Sequence, residues 1–304
     1  MCENCKFIHV MPVPTEDNLL NLYKNEFFQK IKPDDIEKEN LELEYWKTTY
    51  DDKLFSVQNF LGKSGHFLDI GCGSGSLLLR AKELGWDVLG IEPSQVAANH
   101  AEKKGLSILK DFFQNIDFSE FSKFDVIHMK NLLEHTPSPV KILEKCKSIL
   151  SDQGILIIEV PNDFNPLQQI AQKILNKPMY WIDPPIHINY FNFDSLSNLL
   201  TSNSFKILLK ESTFPLEMFL LMGNDYLSND LIGKKKHTER MQFEKNLIKF
   251  EKNGVGERPT PRSQGARLRR GYEQPLVAPQ VTHFIQVPLR TNVKFPHSSQ
   301  ASPS

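Results

Sequence analysis

The feature that most restricts how this chain can fold is the apolar stretch Phe67-Leu68-Asp69-Ile70. It runs directly into Gly71-Cys72-Gly73-Ser74-Gly75 and then into the helix-like segment Ser76 to Leu84. Glycines at this spacing let the backbone turn sharply and pass close to a neighbour or ligand where a Cβ would intrude. A strand that turns through glycine into a helix is the first half of a βαβ unit, the connection that parallel strands require. The alternation continues downstream. Asp87-Val88-Leu89-Gly90-Ile91 reads as a strand, and Ser94 to Lys104 as a helix with Ser94 at its N-cap after Pro93. Leu106 to Leu109 is short and strand-like, Phe124-Asp125-Val126-Ile127-His128 is another strand, and Val140 to Leu150 is amphipathic. Gly154-Ile155-Leu156-Ile157-Ile158-Glu159-Val160 is nearly continuous in apolar residues, as a strand covered on both faces must be. The pattern predicts an α/β fold with a doubly wound, mostly parallel sheet and helices on both faces.

Composition divides the 304 residues into three zones. Residues 1–60 are rich in Asn, Glu and Lys and place Leu19, Leu20, Leu22, Tyr23, Phe27 and Phe28 at helical spacing, which predicts a small helical cap. Residues 61–253 hold the alternating domain, with a helical insertion near 215–253. In residues 254–304 the chemistry changes. The first 253 residues contain 27 Lys and 2 Arg, whereas the last 51 contain 6 Arg, 1 Lys, 7 Pro and no Asp. This basic Pro/Arg-rich tail lacks hydrophobic periodicity and is expected to be disordered. The formal net charge of −1 argues against a nucleic-acid footprint spread over the chain, the cluster Arg267-Leu268-Arg269-Arg270 being a local exception. Met218-Phe219-Leu220-Leu221-Met222 is far too short to insert into a membrane, and no segment at the start reads as a signal peptide. Four cysteines without framework spacing point to a reducing compartment, hence the cytoplasm.

The glycine loop reads G-x-G-x-G, with Ser76 where the third glycine of the dinucleotide fingerprint G-x-G-x-x-G would stand. At the start of a helix, backbone N–H groups and a partial positive charge favour an anionic group such as a ligand carboxylate. Asp69, two residues before Gly71, favours a nearby sulfonium or amino group and would repel a pyrophosphate. Glu92, at the end of the second strand, stands where a carboxylate accepts hydrogen bonds from ribose hydroxyls. Both S-adenosylmethionine and a nicotinamide cofactor carry such a ribose, so a nicotinamide-dependent oxidoreductase remains the alternative at this point.

Five motifs in order resemble the Rossmann-like class I S-adenosylmethionine-dependent methyltransferases, in particular the ubiquinone-methyltransferase-like branch. They are Phe67 to Gly75, Gly90-Ile91-Glu92-Pro93-Ser94, Phe124 to Ile127 with Leu132-Leu133-Glu134-His135-Thr136-Pro137, Gly154 to Asn162, and His187-Ile188-Asn189-Tyr190-Phe191-Asn192. Cys2-Glu3-Asn4-Cys5 with Lys6 to Val10 is similar to the second half of a zinc ribbon found before some relatives, here without its partner cysteine pair. No metal site is expected from it, because a closed structural zinc site takes about four ligands. The tail departs from the family pattern, which keeps open a catalytically degenerate, S-adenosylmethionine-binding protein.

The resemblance implies methyl transfer from S-adenosyl-L-methionine to a small-molecule acceptor, by C- or O-methylation, with a sugar or quinone-like compound as the acceptor class. It places Asp69, Gly71, Cys72, Gly73 and Gly75 around the methionine part and Glu92, with Pro93 beside it, at the ribose. Asp111 would face the adenine amino group, with Phe112 or Phe113 on the ring, and Met129 and Lys130 would close the site below. His135 and His187 are the candidate general bases, since histidine titrates near neutral pH, and Tyr190 the residue to orient an acceptor. Asp111 has an alternative reading as a helix cap. His128, inside an apolar strand, reads as structural. Trp181, Pro184 and Pro185 are expected to form a lid over the acceptor, with Tyr45, Trp46 and Tyr50 opposite.

Overall fold

The computed structural model describes residues 7–15, 19, 23, 37, 39, 41–253 and the backbone of 281–282. Cys2 and Cys5, and the tail apart from 281–282, lie outside the described residues.

At the centre are five parallel strands: β2 (His66–Ile70), β3 (Asp87–Ile91), β4 (Ile108–Leu109), β5 (Phe124–Lys130) and β6 (Leu150–Glu159). Their order in the sheet is β4-β3-β2-β5-β6. The chain winds outward from β2 in one direction through β3 and β4, then returns to its other side with β5 and β6. This reversal makes the carboxyl end of β2 the topological switch point, where a crevice opens in doubly wound sheets. The parallel sheet and its alternation with helices agree with the sequence reading. The β6 strand begins at Leu150, earlier than the apolar run alone indicated, because the preceding helix stops at Ile149 and Leu150 pairs with Phe124 ahead of a register shift.

The strands bury both faces, and the period of two sorts their side chains. Leu68, Ile70, Ile127, Met129, Leu156 and Ile158 join one core with Leu143 and Cys146. Phe67, Val126, Ile155 and Ile157 join the other with Leu54, Val57, Leu78 and Ala81. Leu54 and Val57 belong to helix α1 (Leu43–Leu61), which therefore packs on the sheet itself. Helix α2 (Ser76–Glu83) follows the glycine loop, α3 (Gln95–Lys103) joins β3 to β4, and α4 (Pro139–Ile149) joins β5 to β6. Ser94 occupies the N-cap position of α3 with an extended backbone, but its side chain makes no capping bond; its N–H is held by Glu92 instead. The caps that sequence reasoning missed are downstream. Asn165 with Gln168 opens α5 (Pro166–Leu175) and Asn192 with Ser195 opens α6 (Phe193–Ser202), each as a reciprocal capping box.

Around this body, β1 (Ile8–His9) pairs antiparallel with β7 (Asn189–Tyr190), and Phe7 packs on Phe191 at 4.8 Å between ring centroids. The segment after the two N-terminal cysteines is thus stitched onto the domain. Strand β8 (Lys206–Ile207) pairs in parallel with β9 (Val281–Thr282). Helices α7 (Glu217–Leu221) and α8 (Asp230–Asn253) follow β8. The Tyr45 hydroxyl of α1 donates to Glu244 of α8 at 2.5 Å, and Glu244 also accepts from the Phe214 N–H at 2.8 Å. No helix among the described residues is long and apolar enough to cross a membrane.

Candidate active site

The glycine loop leaves β2 at the switch point, and its three glycines all have left-handed backbones, with φ of 73° at Gly71, 54° at Gly73 and 77° at Gly75. Gly75 has a second reason to be glycine: a Cβ there would lie 2.5 Å from Leu106 and 2.9 Å from Ala101, between α2 and α3. Sequence reasoning offered the loop's N–H groups to an anion, but the structure uses several of them internally. Gly71 and Cys72 both donate to the Ile91 carbonyl, at 2.8 and 3.0 Å, and Gly75 donates to Cys72 at 3.0 Å. The loop is a rigid frame before any ligand arrives. Cys72 is itself locked in place, since a Cβ on Gly90 would sit 2.7 Å from its sulfur.

Glu92, at the exit of β3, is buried at 5 % exposure and ties this frame together. One carboxylate oxygen accepts from Gly73 N–H at 2.9 Å and the other from Ser94 N–H at 2.8 Å. Each oxygen has two lone pairs, so capacity remains for two ribose hydroxyls. Burial pushes its carboxyl up to about 7, against the two backbone bonds. Pro93 lies half-buried between these two anchors.

Asp69 is also buried and stands beside Gly90 and His128 in the sheet register. Its Oδ1 lies 2.6 Å from His128 Nδ1. Beyond His128, Nε2 is 3.2 Å from Lys53 Nζ and 2.9 Å from Glu159, and Lys53 pairs directly with Glu159. His128 is buried in its strand and holds the acid that precedes the loop. Lys53 and Glu159 were not singled out from sequence: one is 16 residues before Asp69 and the other 90 after, and only the sheet order unites them.

Two charged side chains sit over the frame. Lys104 donates to the Ser74 carbonyl at 2.9 Å and to the Ser76 hydroxyl at 3.1 Å. Glu39 accepts from Ser74 at 2.5 Å and from the Tyr50 hydroxyl at 2.9 Å. Lys130 lies 4.1 Å above the Trp46 ring, which stacks on Tyr50 at 26°. Trp46 and Tyr50 of α1 thus lie beside Lys130 and Glu39, while Tyr45 bonds to Glu244. Met129, by contrast, is fully buried in the core, so only its backbone faces the crevice. Asp111 is exposed and its Oδ1 accepts from Phe112 N–H at 2.7 Å and from the Asn115 side chain at 2.9 Å; the short helix that follows, Phe113–Asn115, has Phe112 at its N-cap and no side-chain capping bond. Phe112 is half-buried, while Phe113 is in the core beside Phe118.

Past β5, a short 3-10 turn, Leu133–His135, brings Glu134 and His135 against His187. The His135 and His187 rings are 4.8 Å apart, and His187 and Tyr190 are 6.4 Å apart. His135 Nδ1 lies 2.8 Å from the Ile186 carbonyl and 2.8 Å from the Tyr23 hydroxyl, which itself donates to Ile186 at 3.1 Å. A carbonyl can only accept, so the network places a proton on Nδ1. The other ring nitrogen, Nε2, lies 3.6 Å from Glu134. Ligand atoms of Glu134, His135 and His187 all fall within 4.8 Å of one another, a set with the chemistry to hold a divalent cation as well as to accept a proton. Tyr190 accepts from the Asp183 N–H at 3.1 Å, and burial pushes its phenol up to about 12. A cavity of about 300 Å³ adjoins Tyr190 and is lined also by Asp163, Phe164, Trp181 and Asn192. Trp181 meets Phe164 edge-on at 5.6 Å, on a different wall from Trp46.

A doubly wound sheet with a glycine frame at the switch point, and a buried acid at the carboxyl end of each of the two strands that flank it, defines a nucleoside-binding α/β domain. Residues 44–210 match the family model described as a methyltransferase domain. The chain belongs to that family, within the class I S-adenosylmethionine-dependent methyltransferases. It is similar to the ubiquinone biosynthesis O-methyltransferase of Actinobacillus pleuropneumoniae serotype 5b, 41% identical over 105 residues, 31% of this chain and 45% of that protein. The enzyme of the same name from Coxiella burnetii (strain Dugway 5J108-111) is 34% identical over 106 residues, 33% of this chain and 45% of the relative. The chain thus spans about half the length of these curated relatives. Among solved structures it is similar to a plantazolicin methyltransferase in complex with SAH, at 20% identity and a TM-score of 0.48, covering 70% of this chain and 88% of that one.

Proposed function

We propose that the protein transfers a methyl group from S-adenosylmethionine to a carbon or oxygen of a small-molecule acceptor, with a sugar or quinone-like compound as the acceptor class. The observation that carries this reading is the placement of Asp69 and Glu92 at the carboxyl ends of adjacent strands, joined through one glycine frame. The frame fits the donor: two buried acids and left-handed glycines accommodate a cationic nucleoside, and a pyrophosphate would meet the Asp69 carboxylate. When bound, S-adenosylmethionine supplies a sulfonium-activated methyl group. Asp69 would favour the positive charge of the donor's amino acid end. Glu92 would accept its ribose hydroxyls, with Asp111 and Phe112 at the base. His135 would take the acceptor proton at Nε2, its Nδ1 proton fixed by Ile186. His187 and Tyr190 would position the acceptor, for which the neighbouring cavity provides room. We place the protein in the cytoplasm, a reading supported by the free thiols of Cys72 and Cys146.

Titration calorimetry with S-adenosylmethionine, SAH and NAD tests the donor, and binding of NAD alone would overturn the reading in favour of an oxidoreductase. Release of SAH across a panel of hydroxylated acceptors then tests turnover. His135→Asn is expected to keep SAH affinity and to lose about 100-fold or more in kcat, the usual scale of a general base. Unchanged turnover in that variant would remove His135 from the chemistry.

A further inference from the structure

Lys53 of α1, which is not one of the candidate bases, is buried at 9 % exposure beneath the carboxyl ends of β2, β5 and β6. It reaches across the sheet to pair with Glu159 and to place its Nζ 3.2 Å from His128 Nε2. The opposite ring nitrogen of His128 meets Asp69 at 2.6 Å. The arrangement is a line of four side chains from four elements, ending at the acid two residues before the glycine loop. We infer that Lys53 is a positioning residue of the donor site, acting through His128 to hold the Asp69 carboxylate in place as the partner of a neutral imidazole. This rests on the donor reading above.

The charges decide which protons are where. Two carboxylates flank the imidazole, and without Lys53 they would stabilise an imidazolium that neutralises Asp69. The ammonium opposes that protonation and offers Nε2 a donor, so the neutral ring gives its Nδ1–H to Asp69. Burial, with repulsion from Lys53, accordingly pulls His128 down to about 4, against the pull of Asp69. The charged or titratable groups that face the line are Tyr50 and Asp52 on α1, Cys72 in the loop, Glu92 after β3, Lys130 on β5 and Glu211 beyond β8. Burial and Lys130 pull Lys53 itself down to about 7, against Asp69, Glu211 and Asp52. The ammonium therefore persists through the acidic range, where His128 would otherwise take up a proton.

The experiment follows the histidine ring resonances of the full chain by NMR as pH is varied, assigned with His128→Asn, together with SAH affinity by calorimetry. In the wild type His128 should stay neutral between pH 5 and 8; a midpoint near the ordinary value of about 6.5 overturns the inference without any variant. Lys53→Met, an apolar replacement for a buried stem, should raise the His128 midpoint above that of the wild type by removing the repulsion and leaving both carboxylates, while burial continues to hold it down. It should weaken SAH by about tenfold below that midpoint, the scale of one charge-assisted hydrogen bond. Lys53→Arg should restore the wild-type titration. A purely structural lysine would lower Tm without moving the midpoint, and that result refutes the relay. The two failures separate: no SAH binding by the wild type overturns the donor reading, whereas an ordinary His128 titration overturns this one.

Discussion

Gly75→Ala offers the sharpest test of the glycine frame, because Gly62 supplies a matched control. Both residues have left-handed backbones, with φ of 77° and 72°. A Cβ at Gly62 meets nothing within 4 Å, whereas at Gly75 it would lie 2.5 Å from Leu106 and 2.9 Å from Ala101. The left-handed conformation costs an alanine roughly 1–2 kcal/mol at either site. Alanine's smaller unfolded-state entropy returns about 0.4–1 kcal/mol at either site. Only Gly75 adds the overpacking term, roughly 1–3 kcal/mol, because Leu106 and Ala101 are buried and can yield only by moving α2 from α3. The net is about 1 kcal/mol for Gly62→Ala and about 3 kcal/mol for Gly75→Ala. Differential scanning calorimetry should separate their Tm values by roughly 4–8 °C, at about 2–4 °C per kcal/mol for a domain of this size. SAH affinity should fall only in Gly75→Ala, because the displaced helix carries the loop with it. Equal Tm values, or an unchanged Kd in Gly75→Ala, would refute the claim that loop geometry depends on this contact.

Two further consequences are measurable. The raised carboxyl of Glu92, at about 7, means that the folded protein holds a proton there which the unfolded chain releases near its ordinary 4.5. Stability from this group is therefore present at acidic pH and lost as pH rises from about 4.5 to 7; urea titrations at pH 5, 6, 7 and 8 should show the wild type falling relative to Glu92→Gln, and parallel curves would refute it. Tyr45→Phe removes the bond that joins α1 to α8 and leaves the Glu244 carboxylate buried with one donor fewer. It should cost about 1–3 kcal/mol in urea, and no change would show that α8 is not held by this bond.

Much of the fold is legible in the order of residues along the chain. Apolar runs of the right length bounded by glycine and by helical spacing identify βαβ units, because parallel strands must be buried on both faces and joined by crossovers. The loop from Asp69 to Gly75 and the acid at Glu92 announce themselves by position, since each lies where a strand ends. His135, His187 and Tyr190 can be selected by residue type, and the structure gathers them around one turn. The β6 start is less legible, because Ser151-Asp152-Gln153 carry no apolar signal, and the pairing of Leu150 with Phe124 ahead of them depends on the neighbouring strand.

Local sequence, then, determined which segments are strands and helices and where the glycine frame stands, because those outcomes follow from steric and hydrophobic patterns within a dozen residues. Sheet order and helix packing decided the rest. They brought Lys53, Asp69, His128 and Glu159 into one buried line, turned the loop's N–H groups inward, and set the Tyr23 hydroxyl against His135 across 112 residues. Pairings of that kind depend on which strand lies beside which, and on burial that shifts a proton from its ordinary place, and neither is encoded within any single stretch of chain.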